Sequence, residues 1–357
     1  MKYALIGCGR ISPNHIVAAQ KNGLEIIALC DIDPSQAEDK ILKFDLSKSI
    51  PIYTDYRLML HEKKPELVAI CTESGKHASI AIDCIDAGCH VIIEKPIALS
   101  IEDADKIINR GKEKNVKVCA CHQNRFNKSI QKIREAVEKR RFGKLLHATA
   151  HIRWARDHEY YSRAKWRGTW EQDGGALMNQ CIHDIDLLRW MMGDDVVEVV
   201  AMTDRLKHNY IEAEDLGIAL IKFGNGSYGI IEGTTNIYPK NLEETLYIFG
   251  EKGTVKAGGE AVNIIEEWIF SDYMEVAEEV KKECHELPPN VYGFGHSKLY
   301  TDVVEAINND RPPYVDGEAG KRALELVLAI YLSAATGTRV KLPLKDCKTT
   351  DFKNMFD

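Results

Sequence analysis

Apolar runs of strand length alternate with helix-length stretches up to about residue 121, and the alternation then stops. Residues 3–6, 25–30, 67–71, 90–93 and 117–121 are short and apolar, as strands buried on both faces require. Between them, residues 14–22, 34–43, 56–62, 76–87 and 101–114 repeat apolar positions at helical spacing. Ser100 ahead of Asp103 is a capping pair for the last of these helices. Strand and helix in strict alternation predict a parallel sheet with helices on both faces, a dinucleotide-binding domain over residues 1–121.

Beyond residue 122 the period changes. Residues 127–141 are helical in pattern and 144–153 alternate as a strand. Residues 175–192 predict a strong amphipathic helix. Strand-like runs follow at 196–203, 215–223, 227–235, 244–249 and 253–257, with Asn225-Gly226 as a hairpin turn and 250–253 as another. Two helices, 296–308 and 318–336, close the chain. Strands without intervening helices predict an α+β domain over residues 122–357, built on a mostly antiparallel open sheet.

The glycines after the first strand add chemistry to this outline. Gly7, Gly9 and Ser12 stand at G-x-G-x-x-S spacing, followed by Pro13 at a helix start. Gly7 permits a sharp turn, and Gly9 lets backbone amides approach a pyrophosphate at the positive end of the helix. Asp31 ends the second apolar run about twenty residues further on, where a carboxylate accepts the ribose hydroxyls of NAD and repels the 2′-phosphate of NADP. The expected cofactor is therefore NAD. Ligands of such sheets gather at the carboxyl ends of the strands, which adds Arg10, Ile11, Ile32, Thr72, Ser74, His77, Glu94, Lys95 and Gln123 to the cofactor-binding candidates. Lys95 stands out because it follows a parallel strand and precedes a proline. A lysine in a partly desolvated cleft beside a cationic nicotinamide has its charged form disfavoured, which suits acid–base work.

In the second domain, residues 153–170 interleave four arginines and a lysine with three tryptophans and two tyrosines. Aromatic faces stack on rings and arginine forks grip phosphates and carboxylates, so an anionic, ring-bearing substrate fits this stretch. A charged surface loop or a subunit contact is the plainer alternative. Tyr160, Tyr161, Arg163, Trp166 and Arg167 are candidates here, Trp166 and Arg167 for the cofactor as well. Asp173 can cap the next helix. On that helix Asn179 and His183 are four residues apart, hence expected on one face, and a histidine can take a hydroxyl proton near neutrality. A satisfied core histidine is the competing explanation.

Composition narrows the partners. A net charge of −7 and a pI near 6.0 argue against nucleic acid or an anionic membrane. No apolar run approaches the roughly 20 residues that span a bilayer. The first strand begins at once, so no signal peptide is expected and the expected compartment is cytoplasmic. The ten cysteines include no C-x-x-C, which fits reduced buried thiols. Cys119-Ala-Cys121-His122 has no further ligands close in sequence and H-E-x-x-H is absent, so no metal is expected.

Together Gly7-Cys-Gly-Arg-Ile-Ser12, Asp31, Cys71-Thr-Glu-Ser-Gly-Lys-His77, Glu94-Lys-Pro96, Asn124-Arg-Phe126 and Gly174-Gly175 through His183 resemble the Gfo/Idh/MocA family of NAD(P)-dependent sugar oxidoreductases. Within it, Tyr160-Tyr161, Trp166-Arg-Gly-Thr-Trp170, Asp173-Gly-Gly-Ala-Leu-Met-Asn-Gln180, Tyr238-Pro-Lys-Asn-Leu-Glu243 and Gly250-Glu-Lys-Gly-Thr-Val255 are similar to the WlbA/WbpB-type dehydrogenases of UDP-N-acetylglucosaminuronate. The resemblance implies oxidation at C3 of an anionic nucleotide sugar to the 3-keto sugar, with Lys95 and His183 as catalytic residues. It implies Lys95, Arg125, Tyr160, Tyr161, Arg163, Arg167, Asn179, His183 and His296 around the substrate. It also implies a cis Lys95–Pro96 bond, a homodimer or homotetramer, and 2-oxoglutarate as an electron acceptor in some relatives. Many relatives carry Asp where Asn179 stands, and Pro where Glu73 stands. UDP-N-acetylglucosamine, another sugar or an inositol are alternative substrates, and an NAD-binding sensor without turnover is an alternative of another class.

Overall fold

A computed structural model of the chain describes residues 1–193, 195–287 and 293–357. These divide into two compact units, residues 1–122 with 296–321, and residues 123–295 with 322–357.

The first unit holds β1 (Lys2–Ile6), α1 (Ser12–Lys21), β2 (Glu25–Cys30), α2 (Pro34–Lys43), β3 (Ile52–Tyr53), α3 (Tyr56–Lys63), β4 (Leu67–Ile70), α4 (His77–Asp86), β5 (His90–Ile93), α5 (Ile101–Lys114) and β6 (Val118–Ala120). The strands form one parallel sheet in the order β3-β2-β1-β4-β5-β6. Every residue of β4 is buried, because helices cover both faces, and the apolar runs read as continuous for that reason. Side-chain caps start the helices where expected: Asp33 accepts from the Ser35 amide and Ser100 from the Asp103 amide.

The sequence boundary at 121 differs from the structure in one respect. Residues 296–321 belong with this unit. Val315 accepts a hydrogen bond from the Ala120 amide at 3.1 Å, and Asp316 pairs with Cys119. The returning chain thereby covers the exposed edge of β6, a need that no local pattern announces.

The second unit holds α6 (Lys128–Glu138), β7 (Leu145–Arg153), α7 (His158–Ser162), α8 (Ile182–Met192), β8 (Val196–Asp204), β9 (Leu216–Phe223), β10 (Tyr228–Thr234), β11 (Glu243–Gly250), β12 (Gly253–Gly258), β13 (Ile264–Phe270) and α9 (Ala277–Glu283). After α10 (Gly295–Asn308) and α11 (Gly317–Thr336), β14 (Val340–Lys341) completes its sheet. The order is β13-β12-β11-β7-β10-β9-β8-β14, antiparallel except for the β7–β10 pair. β13, hidden in the acidic run Ile264–Phe270, is not among the predicted strands. It is an outer partner of β12 whose inward positions, Trp268 and Phe270 among them, are buried.

Residues 175–192 are not the simple amphipathic helix that was expected. A π-turn at Leu177–Cys181 leads into α8, and α8 is buried on nearly all sides. The sheet makes room for it with glycines. A Cβ at Gly217 or Gly233 would stand 2.5 or 2.7 Å from Leu177 side-chain atoms, and one at Gly229 would stand 2.8 Å from Leu188. Side chains on the sheet are thus deleted so that a helix can lie against its backbone. No helix among the described residues is long and apolar enough to cross a membrane.

Candidate functional site

Because the strands of the first sheet are parallel, Gly7, Asp31, Cys71–Ser74, Glu94-Lys95 and Cys121 all follow strand ends on one edge. Gly7 turns with φ +92°, and a Cβ there would lie 2.6 Å from the Cys71 carbonyl, so only glycine fits. A Cβ at Gly9 would meet nothing within 4 Å, which leaves open space over the turn. Ser12 takes the third glycine's place by donating its hydroxyl to the Gly9 carbonyl at 2.7 Å. α1 begins without a side-chain cap, so its first amides can face an anion. Asp31 accepts the Cys8 amide at 2.7 Å and the Asp33 amide at 2.9 Å, with exposed Ile32 beside it. A cradle open at Gly9, an uncapped helix start and a backbone-aimed carboxylate fit an NAD pyrophosphate and ribose.

Lys95 is the one residue from 91 to 101 that is not buried. Its neighbours are held from below. The Glu94 carboxylate takes the His15 Nε2 at 2.8 Å through Oε1 and the Lys95 amide at 3.2 Å through Oε2. Burial alone would raise the Glu94 pKa, but His15 and His296 more than offset it and hold the carboxyl well below its usual range. His296, expected at the substrate, is buried with its Nε2 3.6 Å from the same Glu94 oxygen. His77, expected at the cofactor, is buried between the carbonyls of Pro96 (2.7 Å) and Thr72 (3.1 Å). The Lys95–Pro96 bond is cis, as the resemblance implies.

In the second unit, only Asn179, Gln180 and His183 interrupt a stretch from 173 to 192 that is otherwise buried. Asp173 does not cap the helix. It accepts the Gly168 amide at 2.7 Å and the Asn179 amide group, so it ties the aromatic loop to the π-turn. The π-turn also alters the i, i+4 geometry assumed for Asn179 and His183. Gln180 links outward: its Oε1 accepts from Arg156 at 2.6 Å and its amide donates to the Tyr160 hydroxyl at 2.8 Å. The guanidinium of Arg156 lies over Trp154 and Tyr160, and that of Arg167 lies 4.2 Å from the Tyr160 ring centre. Trp166 is part of the same stack, with Arg167 5.6 Å from its ring centre.

Four residues are arranged differently from what the sequence suggests. Arg125, assigned to the substrate, is buried and closes its fork on Asp186 with two bonds of 2.6 Å, bracing α8. Tyr161 is buried, with its hydroxyl 3.2 Å from Thr235 Oγ1. Arg163 is exposed and pairs with Glu159 one turn away. Gln123 is buried and donates to Asn124 at 3.2 Å.

Two buried acidic features escaped the sequence reading altogether. Glu214 accepts the Leu177 amide at 2.7 Å and the Tyr331 hydroxyl at 3.0 Å, and burial pushes its pKa up to about 8. Asp184 and Glu244 are a neighbouring pair of buried carboxyl groups whose pKa values both lie above the usual range. Burial raises both. Neither had a local signal: Glu214 meets Leu177 across 37 residues of sequence, and 60 residues separate Asp184 from Glu244.

Two family models match the chain. The NAD-binding Rossmann fold of the GFO_IDH_MocA oxidoreductase family covers residues 1–122, and that family's C-terminal alpha/beta domain covers 134–342. The WlbA dehydrogenase from Bordetella pertussis, solved in complex with NADH and UDP-GlcNAcA, is 38% identical, with 97% of this chain and 98% of that one covered and a TM-score of 0.88. Myo-inositol 2-dehydrogenase from Thermotoga maritima is 25% identical over 96% of this chain and 98% of its own. D-glucoside 3-dehydrogenase from Escherichia coli is 25% identical over 96% and 97%.

Proposed function

The chain belongs to the Gfo/Idh/MocA oxidoreductase family, and we propose that it oxidises the C3 hydroxyl of UDP-N-acetylglucosaminuronate to the 3-keto sugar with NAD. The observation that carries this reading is full-length similarity to a WlbA dehydrogenase at 38% identity, against 25% for the inositol and glucoside enzymes. The half-buried polar positions support it: Lys95 alone breaks the buried run after β5, and Asn179, Gln180 and His183 alone break the one around α8.

Gly7, Gly9, Ser12 and Asp31 hold the cofactor, which when bound accepts the hydride from C3. His183 takes the hydroxyl proton, with Lys95 assisting as a positive charge beside the developing alkoxide. Asn179 carries no charge, so it orients the substrate and relays no proton. Arg156, Tyr160 and Arg167 form a cationic aromatic platform for the anionic nucleotide end. Arg156 joins the candidates here because Gln180 couples it to the helix of Asn179 and His183.

Incubation with UDP-N-acetylglucosaminuronate and NAD tests the proposal. The expected product has lost two hydrogens by mass spectrometry, and 2-oxoglutarate is added so that cofactor held tightly as NADH can be reoxidised to NAD, giving 2-hydroxyglutarate. Turnover of myo-inositol or UDP-N-acetylglucosamine in preference to the acid would reassign the substrate. NAD binding with no turnover on any of the three would favour the sensor.

A further inference from the structure

Both flanks of Lys95 rest on buried imidazoles within the first unit. On the Glu94 side, His15 donates from Nε2 to Oε1, which leaves its Nδ1 to accept the Tyr300 hydroxyl at 2.7 Å. Tyr300 in turn meets the Tyr3 hydroxyl at 2.9 Å, and Tyr3 is a fully buried residue of β1. The rings of His15 and His296 meet edge to face at 5.2 Å. On the Pro96 side, His77 Nδ1 reaches the Pro96 carbonyl at 2.7 Å. Glu94 Oε2 holds the Lys95 amide itself.

We propose that His15, His296 and His77 are positioning residues for Lys95. They form a three-imidazole clamp that fixes the Glu94-Lys95-Pro96 backbone through the Glu94 carboxylate and the Pro96 carbonyl. The clamp draws its imidazoles from three places in the chain: His15 and His77 in hydrogen-bond contact, from the first turn of α1 and the start of α4, and His296 3.6 Å from Glu94, from the first turn of α10. A lysine side chain has four rotatable carbons, so its reach is useful only if its backbone does not move. His15 and His296 hold the buried Glu94 carboxylate ionised beside Lys95, while His77 holds the Pro96 carbonyl on its other side. The donor atoms of His15, Glu94, Cys121 and His296 lie within 4.8 Å of one another. The 2.8 Å His15–Glu94 bond closes that group as a hydrogen-bond network, with both His15 nitrogens engaged.

The inference rests on the reading of Lys95 as a charged group assisting at the reacting hydroxyl, so its first test does not depend on turnover. Isosteres supply the variants. A glutamine at position 15 keeps a donor near Nε2, whereas an asparagine keeps only the Nδ1 side. At position 77 the logic reverses, and asparagine retains the donor for Pro96.

Hydrogen–deuterium exchange of the free protein should show about tenfold faster exchange at residues 94–97 in His15→Asn, His296→Asn and His77→Gln, with β5 unchanged. In turnover, these three should lower kcat on the order of 10–100-fold with KM and NAD affinity held within about threefold. His15→Gln and His77→Asn should recover most of that loss. The Glu94→Gln/His296→Asn pair should be no worse than Glu94→Gln alone, because both act through one carboxylate. Unchanged exchange at 94–97, additive losses, or equal effects of the two isosteres at each position would overturn the clamp. So would one equivalent of zinc in the purified protein by elemental analysis. Full activity in Lys95→Ala with altered exchange at 94–97 would instead sink the catalytic role of Lys95 and leave the clamp standing.

Discussion

Replacing Glu214 with glutamine should uncouple the second unit's stability from pH. The carboxyl titrates near 8 in the fold against an ordinary value of 4.5, chiefly because it is wholly buried. The folded state therefore holds a proton that the unfolded chain has released between those two values. This contribution is fully present below pH 4.5 and is lost as pH rises through about 8. The loss runs at about 1.4 kcal/mol per pH unit, on the order of 5 kcal/mol over the window. The amide of Glu214→Gln stays neutral and still accepts from the Leu177 amide and Tyr331 hydroxyl, so it lacks that slope. Urea denaturation at pH 6, 7 and 8 would measure it, followed by the fluorescence of Trp170, buried against Tyr331 in the same unit. The wild type should lose stability relative to the variant at each step, and the variant should be the more stable by pH 8. Parallel curves would refute the reasoning, since they would mean that Glu214 is ionised in the fold at every pH tested. Because Glu214 secures the turn before Asn179 and His183, the wild type should also lose turnover above pH 8 more steeply than the variant.

Gly175→Ala places a Cβ 1.5 Å from Glu214 Oε2; thermal melts should show a loss of about 3 kcal/mol or more, partly relieved in a Glu214→Ala background. Arg125→Met removes the two 2.6 Å bonds to the buried Asp186, and chemical denaturation should register a cost of about 3 kcal/mol. Asp31→Ala removes the carboxylate that accepts the Cys8 amide; calorimetry should show NAD binding weakened about 10–100-fold and the preference over NADP narrowed. Asp184→Asn removes one of two neighbouring buried carboxyl groups whose pKa burial raises, so it should be tolerated at pH 6 and stabilising at pH 9, as measured by urea midpoint.

Local chemistry alone was enough for the first unit's framework. A strand buried on both faces has to be apolar, a turn with φ +92° favours glycine, and Asp31 sits where its own strand ends. These constraints act within about thirty residues, so pattern and spacing carry them. The same holds for the alternating strands of the second sheet and for the Asn225-Gly226 hairpin, where the turn φ at Gly226 is +85°.

Tertiary structure decided what each polar group does once placed. Arg125 reads as an anion grip, yet its fork is closed on an aspartate 61 residues away. His296 reads as a substrate residue, yet it stands beside Glu94, and His15 reads as part of a helix start, yet it supports the same carboxylate. The helix 175–192 reads as amphipathic, but glycines on β9 and β10 let it sink against the sheet until only three polar residues stay accessible. The physical reason is common to all of these. Hydrophobic periodicity is set by which face a segment buries, a local property. The partner of a buried charge or donor is set by desolvation, which depends on whatever part of the chain arrives to replace water, and that is fixed only when distant segments pack together.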